Sequence, residues 1–454
     1  MTQLLNRIIT WTFFVSGVAQ CIPAQITPEP DAKKPIVIVV TIDGFPARAL
    51  EDPRLPMPVL RSLAANGAVA KGMLPVNPTV TWPNHTAMIT GVDASRHFVV
   101  ANGLVVLPPD GAAPVVEPWT AKDKLVHART LYEAAAEKGL TTGQVDWVAI
   151  YGAKGVRWQF GEKPDLRDPT PQELIASGVV TREQIEHFGE QSSSAWRDEV
   201  WTDAAVDIIA KHTPNLLLFH LLQTDSIQHQ YAPLTAAAYT AYAYADHCLG
   251  RVVDAARAAG ILDRTTFFVL SDHGFATYTH TISPNVALVQ QGLLHKHGET
   301  YTGSVWVKAE GGAAMVYIPD AKLRVKLLPN LKDYFASLTG VEHVYTNEEA
   351  RPLGIPSDKD TDQAPQLYLT ASAGYAFEDG ISGPVARNNL PLGQHGYLNT
   401  ASDMQALFVA SGAAIKKGVV AGSVSNLQVA PTIAKILGVD MPEAQQPVLN
   451  DILR

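Results

Sequence analysis

Three stretches of the chain are apolar almost without interruption, and each is closed by a turn and an acid. Residues 35–41 (PIVIVVT) run up to Asp43-Gly44, residues 215–222 (NLLLFHLL) lead to Asp225, and residues 265–270 (TTFFVL) lead to Ser271-Asp272-His273-Gly274. A strand that is apolar on both faces has to be covered on both faces, so these runs predict central strands with loops at their carboxyl ends. Between them the apolar spacing changes to the helical period, over residues 57–65, 129–138 with Gly139 as a stop, 200–211, and 236–259 with Gly260 as a stop. Strands alternating with helices imply an α/β fold: a mostly parallel central sheet with helices on both faces.

The pattern weakens after Phe275. Residues 276–392 hold Gly/Pro-rich links (Gly311-Gly312, 351–356, 380–384) and short strand candidates such as 313–318. They read as a less regular, cap-like insertion covering part of a site. A loop (Gly393-Gln394-His395-Gly396), an apolar run over 406–410 and a helix over 426–438 then return to the main pattern, so residues 25–454 are expected to form a single domain.

The first 24 residues carry Arg7, an apolar run over 8–19 and then small residues, which predicts a secretory signal peptide too short to span a bilayer. The mature protein is therefore expected to be exported, periplasmic or secreted. No other apolar stretch is long enough for a transmembrane segment. Cys21 raises a lipoprotein reading, and Gln20, where a small residue is expected, weighs against it. Cys248 is left alone, which excludes an intrachain disulfide after cleavage and predicts a buried thiol.

Composition narrows the classes. With 46% hydrophobic and 17% charged residues over 454 positions the chain is an ordinary globular protein. A formal charge of −9 argues against binding nucleic-acid polymers, whose partners carry a basic face. An acidic enzyme acting on anions needs metal or local cations.

In open α/β sheets, ligands gather beyond the carboxyl ends of the strands. A single aspartate there is most often a turn former; here there are three, two of them followed by a histidine one or four residues on. Asp225 and His229 are four apart, on one side of a helical turn, which suits two ligands of one ion. Asp272 and His273 can converge where the strand ends. Asp43 and His395 complete six candidate ligands, enough for two metal sites of three protein ligands each with open positions left. His395 taken alone is an ordinary histidine, but Gly393 and Gly396 allow a close backbone approach around it.

Residues 77–102 supply a nucleophile. Pro83 fits an early position of a helix running to about Gly91, which places Thr81 just before the helix start, where free N–H groups and the helix dipole favour an anion. A threonine there can be a simple helix cap. Bound to a metal, its hydroxyl would ionise near neutral pH and become available for attack.

At these residues the chain resembles the alkaline phosphatase superfamily, most closely its nucleotide pyrophosphatase/phosphodiesterase branch. Thr81-Trp82-Pro83-Asn84-His85 matches the branch's nucleophile motif, and Asn102 its downstream asparagine. Asp43-Gly44, Asp225 with His229, Ser271-Asp272-His273-Gly274 and Gln394-His395-Gly396-Tyr397 match its metal motifs in order. The resemblance implies an alkaline-phosphatase-like catalytic domain with two Zn²⁺ per chain. One ion would be held by Asp225, His229 and His395, the other by Asp43, Asp272, His273 and Thr81. It also implies in-line attack on phosphorus through a phosphothreonine intermediate, with Asn102 and the backbone N–H of Trp82 stabilising an equatorial oxygen.

Two departures bear on substrate. The Trp-Pro-Gly element of nucleotide-handling relatives is replaced by Asp146-Trp147-Val148-Ala149-Ile150-Tyr151-Gly152, and the Lys-x-Arg pair of threonine-dependent monoesterases is met only by Lys154-Gly155-Val156-Arg157, with different spacing. Phosphodiester or pyrophosphate bonds in a small-molecule ester, a nucleotide among the candidates, are therefore favoured over monoesters, while a carbon–phosphorus (phosphonate) hydrolase fits the same threonine and two zinc ions and is separated by substrate assay. Trp82 and Tyr151 are candidates to stack on a flat substrate group. Neither cysteine lies in a sulfatase motif. A metal-retaining binding protein without turnover would be expected to lack Thr81 or a ligand, and none is missing.

Overall fold

Strand β1 (Ile36–Ile42) explains the layering. All seven of its side chains are buried, and they alternate: Ile36, Ile38, Val40 and Ile42 enter one core cluster, Val37 and Val39 another. Successive side chains of a strand point to opposite faces, so this sequence needs cover on both sides. The structure, a computed structural model, describes residues 34–190 and 192–454; the expected leader, residues 1–24, lies outside the described residues. Residues Lys34–Arg454 form one compact unit.

The central sheet comprises β1, β2 (Gly67–Leu74), β3 (Thr142–Val145), β4 (Trp158–Phe160), β5 (Leu216–Leu221), β6 (Thr265–Leu270), β7 (Phe408–Gly412) and β8 (Val419–Ser425). Their spatial order is β8-β2-β7-β6-β1-β5-β3-β4. Every pairing is parallel except those of β7 with β2 and β6. The protein is thus an α/β fold with a mostly parallel sheet.

Seven helices matter to the argument: α1 (Pro58–Ala65), α2 (Thr81–Thr90), α3 (Leu131–Glu137), α4 (Ser194–His212), α5 (Gln223–Tyr231), α6 (Ala236–Ala258) and α7 (Val429–Leu437). Leu60 of α1, Trp201 and Ile208 of α4, and Tyr242 and Leu249 of α6 cover one face of the sheet. Met88 of α2, Leu131 of α3 and Ile433 of α7 cover the other. Each large apolar side chain buried in this way contributes about 1.5–3 kcal/mol. The helix ends are specified locally. Thr130 and Glu133 form a capping box at the start of α3, Ser193 and Thr235 cap α4 and α6, and left-handed Gly438 closes α7. Cys248 is free and buried in α6.

The segment at 276–392 carries more regular structure than its sequence suggests. It contains a four-stranded antiparallel sheet, with strands Trp306–Glu310, Ala313–Tyr317, Leu367–Ala371 and Val341–Thr346 in that order, and the helix Ala321–Ala336. Val307, Val316, Phe335 and Leu367 share a core of their own. Met315, Tyr317 and Tyr368 pack with Val100, Ala101 and Val105, which ties the segment to the loop that bears Asn102.

Candidate active site

Adjacent parallel strands finish level, and this brings the three aspartates together. Thr41 of β1 pairs with His220 of β5 on one side and Leu270 of β6 on the other. Asp43 lies one residue past the end of β1, and Asp272 two past the end of β6. α5 starts two residues past the end of β5 and carries Asp225 in its first turn and His229 in its last. His395 arrives on an arm, strand Ala386–Gln394, which pairs with Ala276–Ile282. Its two glycines are required: a Cβ on Gly393 would collide with the Gln228 carbonyl, and on Gly396, at φ 88°, with the Glu310 carbonyl.

The six candidate ligands and Thr81 meet at one place. His229 Nε2 lies 3.3 Å and His395 Nε2 3.8 Å from Asp225 Oδ1. His273 Nε2 lies 3.3 Å from Asp272 Oδ2 and 3.5 Å from Asp43 Oδ1, with Thr81 Oγ1 at 3.4 Å. The His273 and His395 rings stack at 3.8 Å and join the two groups. Asp225, His229 and His395 offer ligand atoms all within 4.8 Å of one another, and so do Asp43, Asp225 and His273. In the second set Asp225 stands where the resemblance implies Asp272; Asp272 lies outside that set, its Oδ2 3.3 Å from His273 Nε2.

The donor chemistry fits cations. Nδ1 of His229, His273 and His395 faces the carbonyls of Gly393, Gly274 and Thr79 at 3.2, 3.0 and 3.0 Å. A carbonyl only accepts, so each Nδ1 carries the proton and each Nε2 lone pair points inward. Asp43 Oδ1, Asp225 Oδ1 and Asp272 Oδ2 are buried oxygens without a hydrogen-bond partner, one from each aspartate. Unpaired buried carboxylate oxygens are costly unless a cation satisfies them.

Charge tells the same story. Burial, together with the nearby Asp272 and Asp225 carboxylates, raises the Asp43 pKa well above the ordinary value. Burial pushes His273 down to about 4 and His395 well below its ordinary value. At His229 burial acts downward, but the Asp225 carboxylate outweighs it and the pKa is raised. At Asp225 burial acts upward, and the His229, His395 and His273 imidazoles outweigh it and hold the pKa low.

Thr81 is the first residue of α2 rather than the one before it; the cap is Val80, which has no side-chain cap bond. The Thr81 hydroxyl is therefore not spent on capping. Two residues of its motif hold it in place. Asn84 accepts from the Val76 N–H and donates to the Pro78 and Val80 carbonyls, locking the turn before Thr81. His85 sits between the Thr81 carbonyl at 2.9 Å and the Thr41 hydroxyl at 2.9 Å.

Asn102 and Trp82 pair with each other, the Trp82 N–H donating to Asn102 Oδ1 at 3.0 Å. The Trp82 N–H is thus already occupied, and the exposed Asn102 presents its Nδ2 as the donor open to a ligand. Trp82 and Tyr151 line one cavity of about 470 Å³ with Trp119, Trp147 and Asp146. Tyr151 is half-exposed and meets Trp119 edge-on at 6.3 Å.

Sequence reasoning missed His220, Asp146 and Asp198. His220 is buried in β5 between two carboxylates, Nδ1 at 2.9 Å from Asp146 Oδ2 and Nε2 at 3.1 Å from Asp43 Oδ2. Asp198 of α4 accepts from the N–H groups of Leu222 and Gln223 and so caps the helix that carries Asp225. The available signal for His220 was an imidazole inside an otherwise apolar strand, which needs partners for both nitrogens.

Comparison with known proteins places this geometry. The model of the type I phosphodiesterase/nucleotide pyrophosphatase family matches residues 37–398, and the chain belongs to that family. It is accordingly a hydrolase. Ectonucleotide pyrophosphatase/phosphodiesterase family member 7 from Mus musculus is 24% identical over 442 residues, spanning 94% of this chain and 90% of that protein. A bis(5'-adenosyl)-triphosphatase from Xenopus laevis is 23% identical, spanning 94% of this chain and 83% of that protein. The fold is shared with murine ectonucleotide pyrophosphatase/phosphodiesterase 5, solved as an inactive variant in complex with AMP. There the TM-score is 0.69 at 18% identity, over 93% of this chain and 100% of that one. Among the described residues no helix is long and apolar enough to cross a membrane.

Proposed function

We propose that the protein is an exported two-zinc hydrolase that cleaves phosphodiester or pyrophosphate bonds of small nucleotide-like esters through Thr81. The observation that carries this reading is the convergence of three unpartnered carboxylate oxygens and three inward Nε2 atoms beside the Thr81 hydroxyl. One ion would sit with Asp225, His229 and His395, the other with Asp43, Asp272, His273 and Thr81. When bound, such a pair supplies Lewis-acid chemistry, favouring ionisation of a nearby hydroxyl and offsetting charge on phosphoryl oxygens.

Thr81 Oγ1, its proton released to solvent, attacks phosphorus in line. The new O–P bond forms as the bond to the leaving group breaks, and the leaving oxygen takes a proton from solvent. Water then cleaves the phosphothreonine, its hydroxyl passing to phosphorus and its proton to the Thr81 oxygen. Asn102 donates from Nδ2 to an equatorial oxygen whose charge grows during attack. The cavity walled by Trp82 and Tyr151 takes a flat group attached to the phosphate. Two points favour a nucleotide: the names carried by the relatives, and the AMP held by the murine structure.

Rates on an aryl diester, the matching monoester, a phosphonate and a dinucleotide test the proposal. The diester and dinucleotide are expected to be cleaved fastest, and Thr81→Ala to remove all turnover while zinc stays near two per chain. Faster monoester or phosphonate cleavage would move the substrate assignment to those classes.

A further inference from the structure

We infer that His220 and Asp146 form a positioning pair that holds Asp43 as a one-oxygen ligand and thereby sets the affinity of the deeper cation site. The inference rests on the two-zinc reading above.

The geometry divides the two oxygens of Asp43 between different tasks. Oδ2 is taken by His220 Nε2 at 3.1 Å, while Oδ1 has no hydrogen-bond partner and faces His273 Nε2 at 3.5 Å. A carboxylate free to rotate would present either oxygen or both. With one oxygen bonded to a rigid ring, only the other is offered. His220 is itself fixed from its far side, Nδ1 bonding to Asp146 Oδ2 at 2.9 Å. Its ring also packs edge-on against His85 at 4.7 Å, and His85 in turn against Trp147 at 4.8 Å. His220 and Asp146 are each almost wholly buried. The Asp43 main chain is held as well, its carbonyl accepting from the Thr224 hydroxyl at 2.5 Å. Among the described residues the imidazoles beside Asp225 are the candidate ligands His229, His273 and His395 themselves, so the pair acts on one site of the two.

The far end of this chain reaches the substrate side. Asp146 lines the same cavity as Trp82 and Tyr151 and holds a left-handed backbone, φ 53°, which a non-glycine residue keeps only where its surroundings enforce it. A continuous series of side chains thus joins the cavity wall to a ligand: Asp146, His220, Asp43. Groups that orient ligands in this way typically change metal affinity by about 10–100-fold when removed.

Competition of the zinc-loaded full chain against a chelator of known affinity, with direct metal counting, tests the inference. His220→Phe keeps the ring and removes both nitrogens. It is expected to weaken one of the two zinc ions by about 10–100-fold and leave the other within about threefold. His220→Gln can still donate to Asp43 and is expected to give a smaller loss at the same single site, which carries the test if the Phe variant does not fold. Unchanged release of both ions from a folded variant, or equal weakening of both, would overturn the positioning role. A wild-type chain that fails to hold two zinc ions would instead overturn the two-metal reading itself.

Discussion

The side chains of Asp43, Asp272 and His273 are 1%, 0% and 0% exposed, whereas those of Asp225, His229 and His395 keep 13%, 34% and 10%. The deep group is built at the tips of two adjacent central strands, and its spare hydrogen-bonding capacity is used inside the protein. Asp272 Oδ1 accepts from the N–H groups of Gly44 and His273 at 3.0 Å each, and Asp43 Oδ2 is held by His220. The outer group comes from a helix and an arm, and its imidazoles each turn Nδ1 to one main-chain carbonyl and pack edge-on against the Phe275 ring. The lesson is a division of labour. The deep half is buried beside Thr81, while the outer half keeps some exposure to solvent.

That contrast can be broken most forcefully at the ligands. Asp272→Ala is expected to lower diester kcat on the order of a thousandfold with no recovery in added zinc, because an unsupported deep site leaves other buried charge unpaired. His229→Ala is expected to lose less, about a hundredfold, and to recover part of it in millimolar zinc, since the outer site is open to exchange. Equal losses with equal rescue would erase the distinction between the halves. Steady-state kinetics on metal-depleted and metal-supplemented protein decide between these outcomes.

From the substrate side, Asn102→Ala is expected to lower kcat by about a hundredfold with a small change in KM, as for removal of a donor that acts in the transition state. A change confined to KM would reassign Asn102 to ground-state binding.

Acid is expected to separate the halves by metal retention. The Asp225 carboxylate raises the His229 pKa, so its proton competes with metal from a higher pH than an ordinary histidine's, and outer-site affinity falls about tenfold per pH unit below that point. In the deep group His273, pushed down to about 4, keeps its lone pair free over the same range, and the competing proton there is the one on Asp43, whose pKa burial raises. Dialysis from pH 8 to pH 5.5 with metal counting is expected to show one zinc ion lost before the other, and simultaneous loss would contradict this ordering.

The smallest effect is expected at the cavity. Tyr151→Ala should raise KM for a dinucleotide about three- to tenfold and leave kcat within twofold, matching the loss of one stacking contact. An unchanged KM would leave Tyr151 a wall residue only.

Legibility followed burial. β1, β5 and β6 could be read because strands covered on both faces are apolar throughout, and those same strands place the three aspartates. β8 could not be read because it lies at the sheet edge with a partly exposed, mixed pattern. β2, β3 and β4 carry polar or small residues that mask the pattern, as in GAVAKGML and TGQV. The segment at 276–392 was underestimated because its strands are short and its core forms only through pairings distant in sequence, such as Ala313 with Thr370. At the site, the candidate ligands were visible because Asp and His near strand ends stand out. Their supports were not: Asp198 and Asp146 act through partners 24 and 74 residues away, a relation no local pattern carries.

An anomalous-difference map collected at the zinc edge from crystals of the zinc-loaded protein tests the central claim most directly. Two peaks are expected, one among Asp225, His229 and His395 and one among Asp43, Asp272 and His273 within reach of the Thr81 hydroxyl. A single peak, or peaks away from these side chains, would contradict it.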